Sequence, residues 1–139
     1  MVREIKFRGK DILSGDWRYG YAQFNYDKTR AQIISPLRID ISAFPGQFFH
    51  VDKDTVSQFT GLRDKNGKDI YEGDIVQMHI ENGNILLVVT WNLEVGAWLL
   101  KLKGCNIEGV RTLGEWLRDS SSVIQVVGNI YDNPELLEE

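Results

Sequence analysis

The chain has 139 residues, 42% of them hydrophobic and 26% charged, with a formal net charge of −4. That is the make-up of an ordinary soluble globular protein, one domain or two small intertwined halves. No apolar run is long enough for a transmembrane helix, the single cysteine excludes an intrachain disulfide, and the start MVREIKFRGK lacks the apolar stretch of a signal peptide, so a cytoplasmic protein is expected.

Alternation with a period of two dominates the chain and predicts a mainly antiparallel β fold. Over residues 3–8, Ile5 and Phe7 point one way and Lys6 and Arg8 the other. A turn around Ser14-Gly15 leads into residues 16–22, with Trp17, Tyr19 and Tyr21 on one face, and the two segments read as a hairpin. Ala31–Ser35 and residues 38–42 are short β-prone runs. Ala43-Phe44-Pro45-Gly46 reads as a loop, since proline and glycine sit where a ladder needs a donor and a side chain. A seam between halves is expected near 43–55. Residues 56–59 form a further short strand.

Asp74–Ile80 and residues 85–91 flank Glu81-Asn82-Gly83-Asn84. Asn-Gly predicts a type I′ hairpin turn, with two residues at positive φ. Residues 85–89 are apolar on both faces, as a central strand requires, and 95–102 continue the meander after Asn92-Leu93-Glu94. Thr112 and Glu115 have capping-box spacing for a helix at about 112–119, which Gly114 weakens. Residues 122–130 read as the last strand. Asn133-Pro134 then supplies a cap and a first helical position for one or two turns. The expected architecture is a β meander or small barrel with one or two short helices.

The densest run of charge and turn formers is Asp64-Lys65-Asn66-Gly67-Lys68-Asp69. A calcium loop needs oxygen ligands at alternate positions, a central glycine and a closing glutamate. Aligned on Gly67, the first and last positions are Leu62 and Gly73; aligned on Asp64, the fifth and last are Lys68 and Ile75. Both registers fail, and a tight hairpin turn with charged shoulders is the better reading. His50, Asp52 and Asp54 would share a face if they lay in one strand, and an imidazole with two carboxylates suits a metal. Neither His79 nor Cys105 has a ligand spacing to them, so a solvated loop is preferred and no metal or cofactor is assigned. Cys105 follows Lys103-Gly104, which would lower a thiol pKa, but no histidine base is placed beside it. Ser120-Ser121-Ser122 has loop composition. No glycine-rich phosphate loop is present, and no catalytic residue is assigned.

Charge is unevenly spread. Residues 1–54 carry nine Lys/Arg and seven Asp/Glu, a balance of +2, whereas residues 55–139 carry seven and thirteen, a balance of −6. The basic face of the first strand, Lys6, Arg8 and Lys10, is the nucleic-acid candidate, with Tyr19, Tyr21, Phe48 and Phe49 as residues that could stack bases. The plain alternative is a solvated strand face over an aromatic core.

Three stretches carry a family resemblance: REIKFRGK (3–10) with GDWRYGY (15–21), TVSQFTGLRDKNGKDIYEGDIV (55–76), and VVGNIYDNPELL (126–137). On these the chain resembles the YopX family, small proteins of phages, prophages and related mobile elements of bacteria. The motifs lie at the start, middle and end, while residues from about 25 to 50 carry none of the likeness. The resemblance implies a predominantly β fold and a phage or mobile-element origin in a bacterial host. It brings no catalytic residue or cofactor. It implies structural roles for Phe59, Gly61, Leu62, Asn66, Gly67, Tyr71, Gly73 and Asp74, and for Gly128, Asn129, Tyr131, Asn133 and Pro134. Gly-Asp-Ile-Val at 73–76 is similar to the way SH3-like barrels begin a strand, with Gly73 serving a close approach or a bulge and Asp74 a turn.

Three functional readings follow. The first is a non-enzymatic binding or adaptor module that docks a protein partner on a strand edge or aromatic patch. The second is nucleic-acid binding through Lys6, Arg8 and Lys10, ranked lower because the chain is acidic overall. The third, ranked last, is a metal-dependent enzyme around His50, Asp52 and Asp54. Self-association is compatible with each, since the edges of a small sheet need covering.

Overall fold

The computed structural model describes residues 3–35, 47–102, 108–119 and 123–138. Its contacts divide into two units, Met1–Phe59 and Thr60–Glu139. The expected runs at 38–42 and 43–46 lie outside the described residues.

The first unit holds β1 (Phe7–Lys10), β2 (Trp17–Phe24), β3 (Ala31–Ser35) and β4 (Gln47–Val51), each antiparallel to the next. The second edge of β1 meets the start of β5 (Ser57–Arg63), with Arg8 opposite Ser57. Beyond its end, that same edge reaches β4. Asp11 bridges Val51, the Asp52 N–H donates to the Lys10 carbonyl at 2.8 Å, and the Ile12 N–H donates to the His50 carbonyl at 3.1 Å. The sheet thus closes on itself at one end, which satisfies backbone groups that an open edge would leave to solvent.

Closure leaves a narrow interior of Ala31, Ile33 and Val51, with Phe7, Ala22, Phe49 and Val56 packed against it. Gly9 faces this interior, and a Cβ there would lie 2.8 Å from Val51 Cγ2. Glycine is required at that point by space.

In the second unit, β5 continues to Arg63 and pairs with β6 (Asp69–Tyr71). Then come β7 (Asp74–Ile80), β8 (Gly83–Asn92), β9 (Ala97–Leu102), β10 (Glu108–Thr112), α1 (Leu113–Arg118) and β11 (Val123–Asn129). The ladder order is β10-β9-β8-β7-β11, so four strands form a meander and β11 returns beside β7. The protein is mainly β, with two antiparallel sheets and one α-helix among the described residues. Ile70, Val76, Val89, Leu100, Leu113 and Ile124 are almost wholly buried in this unit's core, to which one face of β8 contributes Ile85, Leu87 and Val89.

Local chemistry explains the element ends. The Thr112 hydroxyl accepts from the Glu115 N–H at 3.1 Å and the Glu115 carboxylate accepts from the Thr112 N–H at 3.0 Å, so the predicted capping box is present and sets the start of α1. β9 begins at Ala97 because Asn92 Oδ1 accepts from the Glu94 and Val95 N–H groups, at 2.9 and 3.0 Å, and holds 92–96 as a turn. Two expectations are corrected. Ile80 pairs with Gly83, so the β7–β8 turn is Glu81-Asn82 and not Asn82-Gly83; neither of these two residues has positive φ, so the turn is not type I′. Asn133 gives no side-chain cap to the short 3-10 turn Pro134–Leu137; its side chain turns back to β11 instead.

Candidate functional site

The residues of the family-like motifs build scaffold. The run at 64–69 is a hairpin turn organised by Asp64, which is buried. Asp64 Oδ1 accepts from the N–H groups of Asn66 and Lys68, both at 2.9 Å, while Oδ2 accepts from the Val126 N–H of β11 at 2.8 Å. Gly67, at φ +80°, completes the turn. Leu62 packs on the core, and Gly61 sits in β5 at φ +86°. Phe59 lies in the first unit, with the Lys6 ammonium 4.7 Å from its ring centre.

Tyr71 and Asp74 enclose the tight turn into β7. Asp74 is 1% exposed, and its Oδ2 accepts from the Tyr71 N–H at 2.8 Å. Gly73 between them is at φ +83°; it donates to the Val89 carbonyl and accepts from the Ile130 N–H, both at 2.9 Å. Asn129 closes the chain's last turn by accepting from the N–H groups of Tyr131 and Asp132, at 3.0 and 2.9 Å. The Asn133 side-chain Oδ1 accepts from the Asn129 N–H at 3.2 Å, and a Cβ on Gly128 would lie 2.5 Å from that oxygen. Pro134 opens the 3-10 turn. Asp64 is the residue of this set that sequence reasoning missed as a hub; the signal was its place as first residue of an Asp-x-Asn-Gly turn.

His50, Asp52 and Asp54 do not share a strand face, because β4 ends at Val51. Asp52 caps the 3-10 turn Lys53–Thr55, its Oδ1 accepting from the Asp54 N–H at 3.0 Å, and Asp54 pairs with Lys53 at 2.9 Å. Among the described residues no three His, Cys, Asp or Glu side chains converge as metal ligands do. His79 lies in β7, its Nδ1 3.0 Å from Asn84 Oδ1. Cys105 and Ser120-Ser121-Ser122 lie outside the described residues.

The first unit's sheet does bring predicted residues together. Directly opposed residues of an antiparallel pair project to the same face. Arg8 opposes Tyr19, Lys10 opposes Trp17, Tyr21 opposes Ile34, Ile34 opposes Phe48, and the next row is Gln23, Gln32 and His50. One face therefore carries Arg8, Lys10, Trp17, Tyr19, Tyr21 and Phe48. Phe49 is corrected: adjacent strand residues point to opposite faces, and Phe49 packs on the interior beneath Arg18, whose guanidinium is 4.1 Å from its ring centre.

On the outer face Tyr19, Tyr21 and Phe48 are 48%, 60% and 48% exposed. The Arg8 and Lys10 head groups stand 4.5 and 5.8 Å from the Trp17 ring centre, which fixes them by cation–π attraction. Lys6 is also paired with Glu4 at 3.2 Å. β1 to β4 contain Arg8, Lys10 and Arg18 but no Asp or Glu. The described acids of this unit lie outside those strands, and Asp11 is turned inward to its own corner. Its Oδ1 accepts from the Leu13 N–H at 2.9 Å and its Oδ2 from Arg18 Nε at 3.0 Å. These bonds, the Leu13 amide first, lower the Asp11 pKa below the usual carboxylate value.

Fold and face together define a small, mainly β protein of two antiparallel sheets with an exposed aromatic surface. The chain belongs to the YopX family: the family model described as YopX protein matches residues 6–138. It is similar in structure to the crystal structure of protein EF1440 from Enterococcus faecalis, with a TM-score of 0.62 and 22% identity, over 99% of this chain and 100% of that one. That likeness concerns the fold. No curated protein matches the chain. No helix among the described residues is long and apolar enough to cross a membrane.

Proposed function

We propose that this chain is a non-enzymatic binding module of a phage or mobile element, acting in the bacterial cytoplasm, and that its ligand is single-stranded nucleic acid laid on the outer face of the N-terminal sheet. The observation that carries the reading is the convergence of exposed Tyr19, Tyr21 and Phe48 with Lys10, beside a buried Arg8, on strands that hold no acid. Aromatic faces stack bases of any sequence, and nearby cations hold the backbone. The acidic surplus lies in residues 55–139, whereas β1 to β4, which carry the face, hold no acid.

The test is fluorescence anisotropy with a labelled mixed-sequence single strand at low salt. Tyr21→Ala and Phe48→Ala are each expected to weaken binding by about 1–3 kcal/mol, the worth of one stacked base. No binding by the parent chain, or binding that both substitutions leave unchanged, overturns the reading.

A protein-docking adaptor is the second reading. It is favoured by Ile12 and Leu13, 62% and 93% exposed beside the β1–β2 turn, apolar side chains for which a nucleic acid has no use. A pull-down from the host in which a protein survives nuclease treatment, and is lost on Leu13→Asp, supports it.

A further inference from the structure

Where β1 meets the end of β4, an open cleft of about 720 Å³ is lined by Lys10, Asp11, Arg30, His50, Asp52 and Lys53, among others. A smaller cleft of about 260 Å³ adjoins it, with Gln23, Gln32 and Phe24 in its wall, and the two share Arg30 and His50. All of these residues belong to the first unit.

The acids of this corner are already committed. Asp11 is held by the Leu13 amide and Arg18, and Asp52 caps the turn at 53–55. Asp27, in the β2–β3 turn, takes the Thr29 hydroxyl at 2.7 Å and the Thr29 N–H at 3.2 Å. The same turn fixes the backbone of Arg30, whose N–H donates to Asn25 Oδ1 at 2.9 Å. Among the described residues the Arg30 guanidinium and the His50 ring have no hydrogen-bond or ion-pair partner, and both residues are exposed. Two donor side chains thus stand at the junction of two clefts, and the Asp11 and Asp52 carboxylates that also line the larger one each already accept a backbone N–H.

We propose that this corner binds a phosphate group, with Arg30 as the main donor and His50 and Lys10 flanking it. A guanidinium offers a planar fork that fits two phosphate oxygens. Opposed Gln32 supplies an amide beside His50. His50 and Gln23 follow Phe48 and Tyr21 by two strand positions, about 7 Å along the sheet. A phosphate held here is therefore one step from a base stacked on the outer face. The site deepens the nucleic-acid reading and rests on it only for the claim that the phosphate belongs to a strand; a free nucleotide presents the same chemistry.

The experiment is an NMR titration of the full chain, following the His50 ring and Arg30 side-chain signals. The probes are inorganic phosphate, adenosine monophosphate, adenosine, and an unlabelled single-stranded oligonucleotide. Phosphate and the monophosphate are expected to move both sets of signals, and adenosine is not. Arg30→Ala should weaken monophosphate binding about tenfold, and Arg30→Lys should restore part of it. Tyr21→Ala should weaken the oligonucleotide while sparing inorganic phosphate. Displacement of phosphate by the oligonucleotide assigns the site to a strand. Monophosphate binding with no oligonucleotide binding keeps the phosphate site, assigns it to a free nucleotide, and ends the nucleic-acid reading. Signals unmoved by phosphate and monophosphate, or binding unaltered by Arg30→Ala, overturn the proposal.

Discussion

Asp64 ties the β5–β6 turn to β11 with one carboxylate, two amides of the turn on one oxygen and an amide of β11 on the other. Alanine there would leave three donors without their acceptor, and hydrogen bonds to a charged group contribute about 1.5–3 kcal/mol each before compensation by water. Asp64→Ala is therefore expected to lower unfolding free energy by about 3 kcal/mol in urea titration, with Asp64→Asn intermediate because it keeps one oxygen. A loss under about 1 kcal/mol would show that solvent replaces the carboxylate at little cost. Glu72 carries the opposite sign. It is partly buried, and burial raises its pKa above the usual carboxylate value. The folded chain then binds more protons than the unfolded one between the two pKa values, so stability falls as pH rises through that window. Glu72→Gln should stabilise the protein at neutral pH and lose its advantage once pH is below the unfolded carboxyl pKa. Thermal melts of both chains across pH 3–8 measure this; an equal gain at every pH would point to packing instead of charge.

At the level of elements, the capping box shows how local a signal can be. Thr112 and Glu115 announce α1 in the sequence, and both bonds form. Thr112→Ala is expected to cost about 1 kcal/mol, the usual worth of an N-cap, read as a shift of the urea midpoint with unchanged slope. Strand existence was legible for the same reason, since alternation is written in adjacent residues. Register was not. Asn-Gly promised one turn and Glu81-Asn82 made another, because the β7–β8 pairing is set by which residues reach the core on both strands. Of the candidate face, Arg8, Lys10, Tyr19 and Tyr21 were readable from alternation alone. The choice of Phe48 over Phe49 needed the β3–β4 register, and Arg30 needed the closure of β1 against β4, a contact between residues some forty positions apart. Gly9 records that closure. Gly9→Ala would push a Cβ onto Val51, and overpacking of so small an interior costs about 1–3 kcal/mol. The substitution is expected to lower the melting temperature. An unchanged melt would mean that Val51 can shift freely.

Over the whole molecule, charge and aromatic surface are segregated along the chain. Residues 1–54 have a balance of +2 and residues 55–139 one of −6. A protein that binds single strands mainly by stacking should feel salt weakly, whereas one that relies on a basic groove should feel it strongly. On the face and corner described above, Lys10 and Arg30 are the two cations placed to meet phosphate. Each neutralised phosphate of a single strand contributes about −0.7 to the slope of log affinity against log salt. The expected slope is therefore about −1.4, and replacing Lys10 and Arg30 together by glutamine should bring it close to zero while stacking on Tyr21 and Phe48 persists. A slope near zero in the parent chain would remove phosphate from the recognition and return the aromatic face to the protein-docking reading. A slope much steeper than about −3 would mean that cations outside this face carry the binding, because Lys10 and Arg30 cannot supply it.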